Sequence, residues 1–262
     1  MITIKLDNIS YTYPNGVQAL SGISAVFHPG ETVAVIGTNG AGKTTLARLL
    51  KGIILPSTGR VSIGDWDTSR VPASRLASKI GYVLADPRLQ IFTPSVQEEV
   101  AFGPSNLRWP EEQIHAAVTD ALQAAELQDK AGCHPYELGN NERKRLALAS
   151  VLAMRCPAII LDEPTSGIDA QSYRCLQNIL DTLQHLRTTI IIISHDMDFI
   201  ADHCHRVLAL QKGRLIQDGP TDKVLANAAE YGQELPCTVR LCRALQRPDC
   251  YASADFLSSL PR

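Results

Sequence analysis

The 262-residue chain has no long apolar run: the densest, Ile190–Ile193, falls far short of the ~18 residues needed to cross a bilayer. The protein is therefore expected to be soluble by itself, with any membrane role exercised through a partner. It also lacks an excess charge of either sign. Lys plus Arg number 25 against 27 Asp plus Glu, for a net charge of −2 and a pI near 6.4, which leaves no electrostatic case for nucleic acid as a partner. Seven cysteines are scattered with no C-x-x-C spacing, an odd count that offers no disulfide framework and points to a reducing compartment. The first residues, Met1 to Asp7, alternate like a strand and carry no signal-peptide pattern. Repeats and low-complexity tracts are absent, and the length is ample for a large buried core.

What is present is concentrated between Thr32 and Leu50. An apolar run, Val33 to Ile36, leads into Gly37-Thr38-Asn39-Gly40-Ala41-Gly42-Lys43-Thr44 and then Thr45-Leu46-Ala47-Arg48-Leu49-Leu50. It reads as strand, glycine loop, helix. Glycine removes the side-chain bulk that would keep phosphate oxygens from backbone N–H groups, and the helix start aims unpaired N–H groups and a positive dipole end at the same oxygens. Lys43 adds a full charge, and the Thr44 hydroxyl is placed to ligate Mg²⁺. Three glycines alone would fit an ordinary turn, but the added Gly-Lys-Thr in this context makes a phosphate-binding loop for a nucleoside triphosphate.

Along the chain, Met1 to Phe27 reads as antiparallel strands turning at Pro14-Asn15-Gly16, followed by the loop strand, short strands over 60–63 and 80–84, and then a change of texture from Asp86. Prolines at 87, 94, 104 and 110 are expected to break up short helical pieces. Amphipathic helices are predicted after Pro110, with Ile114, Ala117, Val118, Ala121, Leu122 and Ala125 on one stripe, and over 141–154. Unalternated apolar strands return at Ala158–Leu161 and Thr188–Ile193, as in a sheet buried on both faces, and a small hairpin is predicted around Lys212-Gly213. The fold class that follows is α/β, a phosphate-loop NTPase core with an amino-terminal antiparallel β subdomain and an inserted helical lobe. The expected division is 1–85 with 157–226 as the ATP-binding core, 86–156 as the lobe, and 227–262 as a carboxyl-terminal extension.

Asp162 stands at the tip of a buried strand, where phosphate-loop ATPases keep their second Mg²⁺-side carboxylate. Glu163 beside it could deprotonate an attacking water, and His195 ends the next buried strand. Lys43, Asp162-Glu163 and His195, with a helical lobe between the first two, resemble the ATP-binding cassette ATPases of membrane transporters over about Ile4 to Leu225. The resemblance implies that ATP is bound by residues 37–45, with Gly37, Thr38, Asn39, Gly40, Ala41, Gly42, Lys43, Thr44 and Thr45 around the phosphates and Tyr13 stacked on adenine. It further implies Thr44 and Asp162 on Mg²⁺, Glu163 as the base, Ser166 to Asp169 as the loop at a dimer interface, and His195 as the switch histidine. Pro87 to Leu107, including Gln90 to Pro104, narrows the resemblance to the energy-coupling-factor and cobalt-type importers, as does the tail with Leu235-Pro236 and Val239-Arg240-Leu241. That subfamily implies a second ATPase subunit, a membrane-embedded coupling subunit contacted near 86–107, a separate membrane protein that chooses the vitamin or transition metal, and a place at the cytoplasmic face of the membrane.

Two positions depart from the family pattern. Its glutamine that reaches Mg²⁺ and water falls on Ala85, and Gln90 is not counted as a replacement. Its Leu-Ser-Gly-Gly-Gln signature, which closes on phosphate held by the opposite subunit, reads Leu138-Gly139-Asn140-Asn141-Glu142. A carboxylate at a helix start suits capping and opposes phosphate. A heterodimer is therefore expected, in which the partner brings an intact signature to this chain's Lys43 and Glu163. The alternative is a hydrolysis-impaired regulatory subunit. Among blander features, Asp202-His203-Cys204-His205 reads as a helix end, Asp65-Trp66-Asp67 as an exposed turn, and Arg143-Lys144-Arg145 as a solvated helix face at least as readily as a phosphate contact.

Overall fold

The computed structural model describes residues 2–259. Two sheets form its frame. The first is antiparallel in the order β2-β1-β4-β5, from β1 (Ile4–Thr12), β2 (Gln18–Phe27), β4 (Thr58–Ile63) and β5 (Trp66–Asp67). In β1 the alternation is physical: Ile4, Leu6 and Ile9 are buried while Lys5 and Asp7 face water.

The second sheet runs β10-β9-β3-β8-β7-β6, built from β3 (Thr32–Ile36), β6 (Ile80–Val83), β7 (Ala158–Asp162), β8 (Thr189–Ile193), β9 (Arg206–Gln211) and β10 (Arg214–Pro220). Five strands are parallel, and only β10 turns back as an edge hairpin on β9. Every residue of β3, β7 and β8 is buried, because both faces are covered. Val33, Val35, Ile160, Ile191 and Ile193 pack toward α1 (Lys43–Leu50) and the antiparallel sheet. Ala34, Ile36, Ile159, Leu161, Ile190 and Ile192 pack toward the helices on the other side. A short helix, α2 (Ala73–Leu76), leads into β6 and buries Leu76 on the first of these cores.

Between β6 and β7 the chain is helical: α3 (Val96–Asn106), α4 (Glu111–Ala124) and α5 (Asn140–Leu152), with short 3₁₀ turns. α4 buries Ala117, Val118, Ala121 and Leu122, and Glu111 and Glu112 complement its dipole. α3 corrects the expectation that prolines fragment this region, since Pro104 lies inside an eleven-residue helix. It falls in the last turn, where the missing N–H costs a single bond, and Ser95 caps the start by accepting from the Glu98 N–H at 3.2 Å.

After β7 come α6 (Ala170–His185) and α7 (Met197–His203), which follow β7 and β8 in turn, and α8 (Thr221–Leu225) after β10. α9 (Cys237–Ala244) and α10 (Ser253–Ser259) close the chain. The carboxyl ends of the parallel strands all open on one edge of the sheet, which is where ligands bind in open α/β folds.

Candidate functional site

The loop after β3 is shaped by a close approach. Gly37 has φ 149°, and a Cβ there would sit 2.3 Å from the Leu210 carbonyl oxygen of β9. A Gly37→Ala variant is therefore expected to lose about 2–4 kcal/mol of stability through backbone strain and overpacking. Thermal unfolding checks this, and an unchanged midpoint would contradict the packing. Beyond Gly37, residues 38–40 are exposed, so the concave side of the loop is open.

α1 starts at Lys43 with no side-chain cap, so its first N–H groups lack intrahelical acceptors and face the loop. Lys43 is buried and folded back: Nζ donates to the Gly37 carbonyl at 2.6 Å and the Thr38 carbonyl at 3.2 Å, and lies 3.2 Å from His195 Nε2. Burial lowers its pKa, while the carboxylates of Glu163 and Asp162 push the other way. Thr45 is buried and bonded to the Tyr13 hydroxyl at 3.0 Å, which seats that ring beside the loop, edge-on to Tyr11.

Asp162 ends β7 as a buried carboxylate. Tyr82 on β6 donates to its Oδ2 at 2.8 Å, and burial raises its pKa while that bond and Lys43 oppose the rise. Thr44 is exposed, and its hydroxyl is engaged by no side chain or carbonyl among the described residues. One free hydroxyl and one carboxylate are hard oxygen donors of the kind Mg²⁺ takes when phosphates and water complete its shell, so this pair fits that ion. The 202–205 run lies at the end of α7, where Asp202 accepts from the Ser253 N–H and hydroxyl. The expected exposed turn over 65–67 is corrected at two positions: Trp66 and Asp67 pair with β4 as β5, and Asp67 is ion-paired with Arg60 at 2.9 Å and accepts from Ser69.

Glu163 has left-handed backbone, φ 49°, unusual for a glutamate, and its N–H donates to the Ile193 carbonyl of β8 at 2.7 Å. That bond holds the residue at the sheet edge. Its carboxylate lies 3.3 Å from His195 Nε2 and accepts from the His195 N–H at 3.3 Å. Burial raises its pKa, with His195 and then Lys43 countering. Lys43, Glu163 and His195 thus converge at the mouth of the loop, with Asp162 the neighbour of Glu163 and a charge felt by Lys43.

The signature stretch lies elsewhere, at the start of α5. Gly139 is the N-cap residue, and Glu142 turns back so that Oε2 accepts from the Gly139 N–H at 2.8 Å. Glu142 Oε1 is ion-paired with Lys130, and these two contacts hold the carboxyl below the usual glutamate range. This helix start is capped from within. Asn141 donates to Asp169 at 2.8 Å, tying the stretch to the N-cap of α6.

Ala85, just past β6, is exposed and lines a cavity with Lys144, Asp162 and Glu163. Gln90 does not substitute for it. The Gln90 amide accepts from the Leu84 N–H at 3.0 Å and donates to the Ala147 carbonyl at 2.7 Å and the Ser150 hydroxyl at 3.0 Å, so both ends are committed. Arg143-Lys144-Arg145 is not a plain solvated helix face. Arg145 is buried against Glu126 at 3.2 Å, Arg143 lies over Tyr136 and donates to its carbonyl, and Lys144 donates to the Ser166 carbonyl. From sequence, Lys144 reads only as part of that basic run, and its contact with the Ser166 carbonyl is not foreseen. Its helical position points it at the loop after Glu163, where Asp86 and Glu163 counter the lowering of its pKa by burial.

Residues 20–166 match the ABC transporter family. The energy-coupling factor transporter ATP-binding protein EcfA2 of Methanospirillum hungatei is 40% identical over 226 residues, covering 86% of this chain and 57% of that protein. EcfA of Methanothermobacter thermautotrophicus is 39% identical over 227 residues, 86% of this chain and 73% of that one. Among solved structures, CbiO1 from Clostridium perfringens, part of the ABC transporter complex cbiONQ, superposes with a TM-score of 0.77 at 33% identity, over 93% of this chain and 98% of that one.

Proposed function

Because the chain belongs to the ABC transporter family of ATP-binding proteins, we propose that it powers an importer of the energy-coupling-factor type. It works from the cytoplasmic face of the membrane, in a dimer with a non-identical ATPase. The adopted division is a core of 1–85 with 157–226, a helical lobe of 86–156 and an extension of 227–262. The observation that carries the catalytic part is the meeting of Glu163, His195 and Lys43 at the mouth of the phosphate loop.

In this reading Tyr13 offers a face to adenine, and residues 37–45 wrap the phosphates with backbone N–H groups and the Lys43 ammonium. Thr44 and Asp162 would hold Mg²⁺, which supplies charge neutralisation of the triphosphate. Glu163 orients the attacking water and takes its proton, and His195 donates to the γ-phosphate. Lys43 must leave the Gly37 and Thr38 carbonyls to meet phosphate, and its bonds to them keep it desolvated and ready.

Names of relatives support the subfamily, as does an exposed apolar patch beside Ala85. Leu89 is 77%, Phe92 64% and Phe102 45% exposed, and the two phenyl rings meet edge to face at 4.7 Å. An apolar patch of this kind fits a helix of the membrane-embedded coupling subunit. The solute, a vitamin or a transition metal, is chosen by a separate membrane protein.

Within this site one chain supplies loop, base and switch but no competent signature, since Glu142 is spent on Gly139 and Lys130. Purified alone, the chain is expected to hydrolyse ATP at least about tenfold more slowly than with its partner, the worth of one missing set of phosphate donors. Turnover alone at the rate of the complete assembly would overturn the heterodimer.

A further inference from the structure

The carboxyl-terminal extension reaches the nucleotide site. After α8 the chain makes a 3₁₀ turn over Ala228–Tyr231 that buries Tyr231, then bends at Gly232, whose N–H donates to the Ala229 carbonyl at 3.1 Å. Gly232 has φ 70°, and a Cβ there would lie 2.7 Å from Thr38 Cγ2. Glycine alone lets the tail pass this close to the phosphate loop. The next residue, Gln233, is pinned by its own N–H to the Ala228 carbonyl at 3.0 Å and places Oε1 3.4 Å from Nδ1 of His195.

The approach is braced from the far side as well. The Cys237 N–H donates to Asp198 at 2.6 Å, and Ser253 donates to Asp202 through its N–H at 2.6 Å and its hydroxyl at 2.9 Å. Both aspartates belong to α7, the helix that begins two residues after His195. The tail is therefore braced on the helix that directly follows the switch histidine, around a cavity shared by Thr38, His195 and Gln233.

We propose that Gln233 is a positioning residue for His195, selecting the ring tautomer that nucleotide binding requires. This rests on the reading of His195 as the γ-phosphate contact. With the amide oxygen accepting from Nδ1–H, Nε2 is bare and accepts from Lys43 at 3.2 Å. In a loop without phosphate, Gln233 and Lys43 together therefore oppose the Nε2–H form that the Glu163 carboxylate, 3.3 Å from the same nitrogen, would favour. To meet a phosphate oxygen, Nε2 must donate instead. An amide serves that state by turning its NH₂ group to the bare Nδ1. The proton moves between ring nitrogens through water, the ring being 41% exposed. Glutamine can satisfy both tautomers, glutamate only the Nδ1–H form, and leucine neither.

The test is ¹⁵N-histidine NMR of the full chain, with His195→Ala to assign the resonance. Nucleotide-free protein is expected to show the Nδ1–H pattern at His195, and Gln233→Leu to lose it; the same pattern in both would overturn the proposal. If Gln233→Leu fails to fold, the near-isosteric Gln233→Glu is expected to keep the Nδ1–H pattern in the nucleotide-free protein. Loss of the Nδ1–H pattern in Gln233→Glu would overturn it as well. Saturation with Mg-ATP in a Glu163→Gln background is expected to convert the signal to Nε2–H with Gln233 present and not with Gln233→Glu. Failure to convert with Gln233 present would overturn the two-way role and the phosphate reading of His195, while the nucleotide-free comparison judges the Gln233 contact separately.

Discussion

Replacing Glu163 by glutamine is expected to cut ATP turnover by at least about 100-fold while leaving ATP bound, because in the proposed mechanism it removes the carboxylate that takes a proton from the attacking water. The substitution is nearly isosteric. It keeps the N–H bond to the Ile193 carbonyl that fixes the left-handed backbone, and the amide oxygen can still accept from the His195 N–H, where the carboxylate sits at 3.3 Å. The site should therefore fill with nucleotide and stall. The measurement is single-turnover hydrolysis with nucleotide retention on the assembled complex. Unchanged turnover would favour the regulatory reading. The native enzyme should show the same dependence through pH. Burial holds the Glu163 pKa above the ordinary glutamate value, so activity that needs the ionised form falls on acidification at a higher pH than a free glutamate would dictate. The glutamine variant has no such limb.

Rebuilding the signature should have the opposite sign. The quadruple change Gly139→Ser, Asn140→Gly, Asn141→Gly and Glu142→Gln is expected to raise turnover of the isolated chain on the order of tenfold, as donors are restored to a phosphate site. Two like charges about 4 Å apart at an effective dielectric near 20 oppose each other by about 4 kcal/mol, and the Glu142 carboxylate would set that against a bound phosphate. Lys130 offsets part of this repulsion, and the isolated chain should accordingly be slow but not dead. The Gly139 position accepts a serine without strain, with extended backbone at φ −64° and its nearest neighbour, Glu142 Oε2, 3.6 Å from a new Cβ. Loss of the half-exposed Lys130 pair should cost under about 1 kcal/mol, and thermal unfolding would register it. No gain in turnover would place the defect elsewhere, with Ala85 the first candidate.

The sequence made the core legible where chemistry and pattern agree. Val33–Ile36, Ala158–Leu161 and Ile190–Ile193 announced strands buried on two faces, and the glycine loop, Asp162, Glu163 and His195 fall at the edge where those strands end. The helical lobe was legible in α4, whose stripe is regular, and less so in α3, where Pro104 was weighed as a breaker without knowing that it fell in the last turn. Long-range partnerships were the illegible part. Nothing local couples Lys130 to Glu142, Lys144 to the Ser166 carbonyl, or Gln233 to His195, because each pair is brought together by packing of elements that are distant or irregular in sequence.

The place of β3 in the sheet carries a consequence for how the protein is made. Its two neighbours are β8 and β9, residues 189–193 and 206–211, so the strand that leads into the phosphate loop finds its first sheet partner more than 150 residues later and its second later still. During synthesis Val33 to Ile36 must wait as an apolar segment without a ladder, exposed to wrong pairings. The Gly37 bend, which leans on Leu210, cannot take its final shape before β9 has docked. The phosphate loop is thus expected to take its binding shape only after β8 and β9 have been made, so a fragment ending before β8 should bind nucleotide poorly.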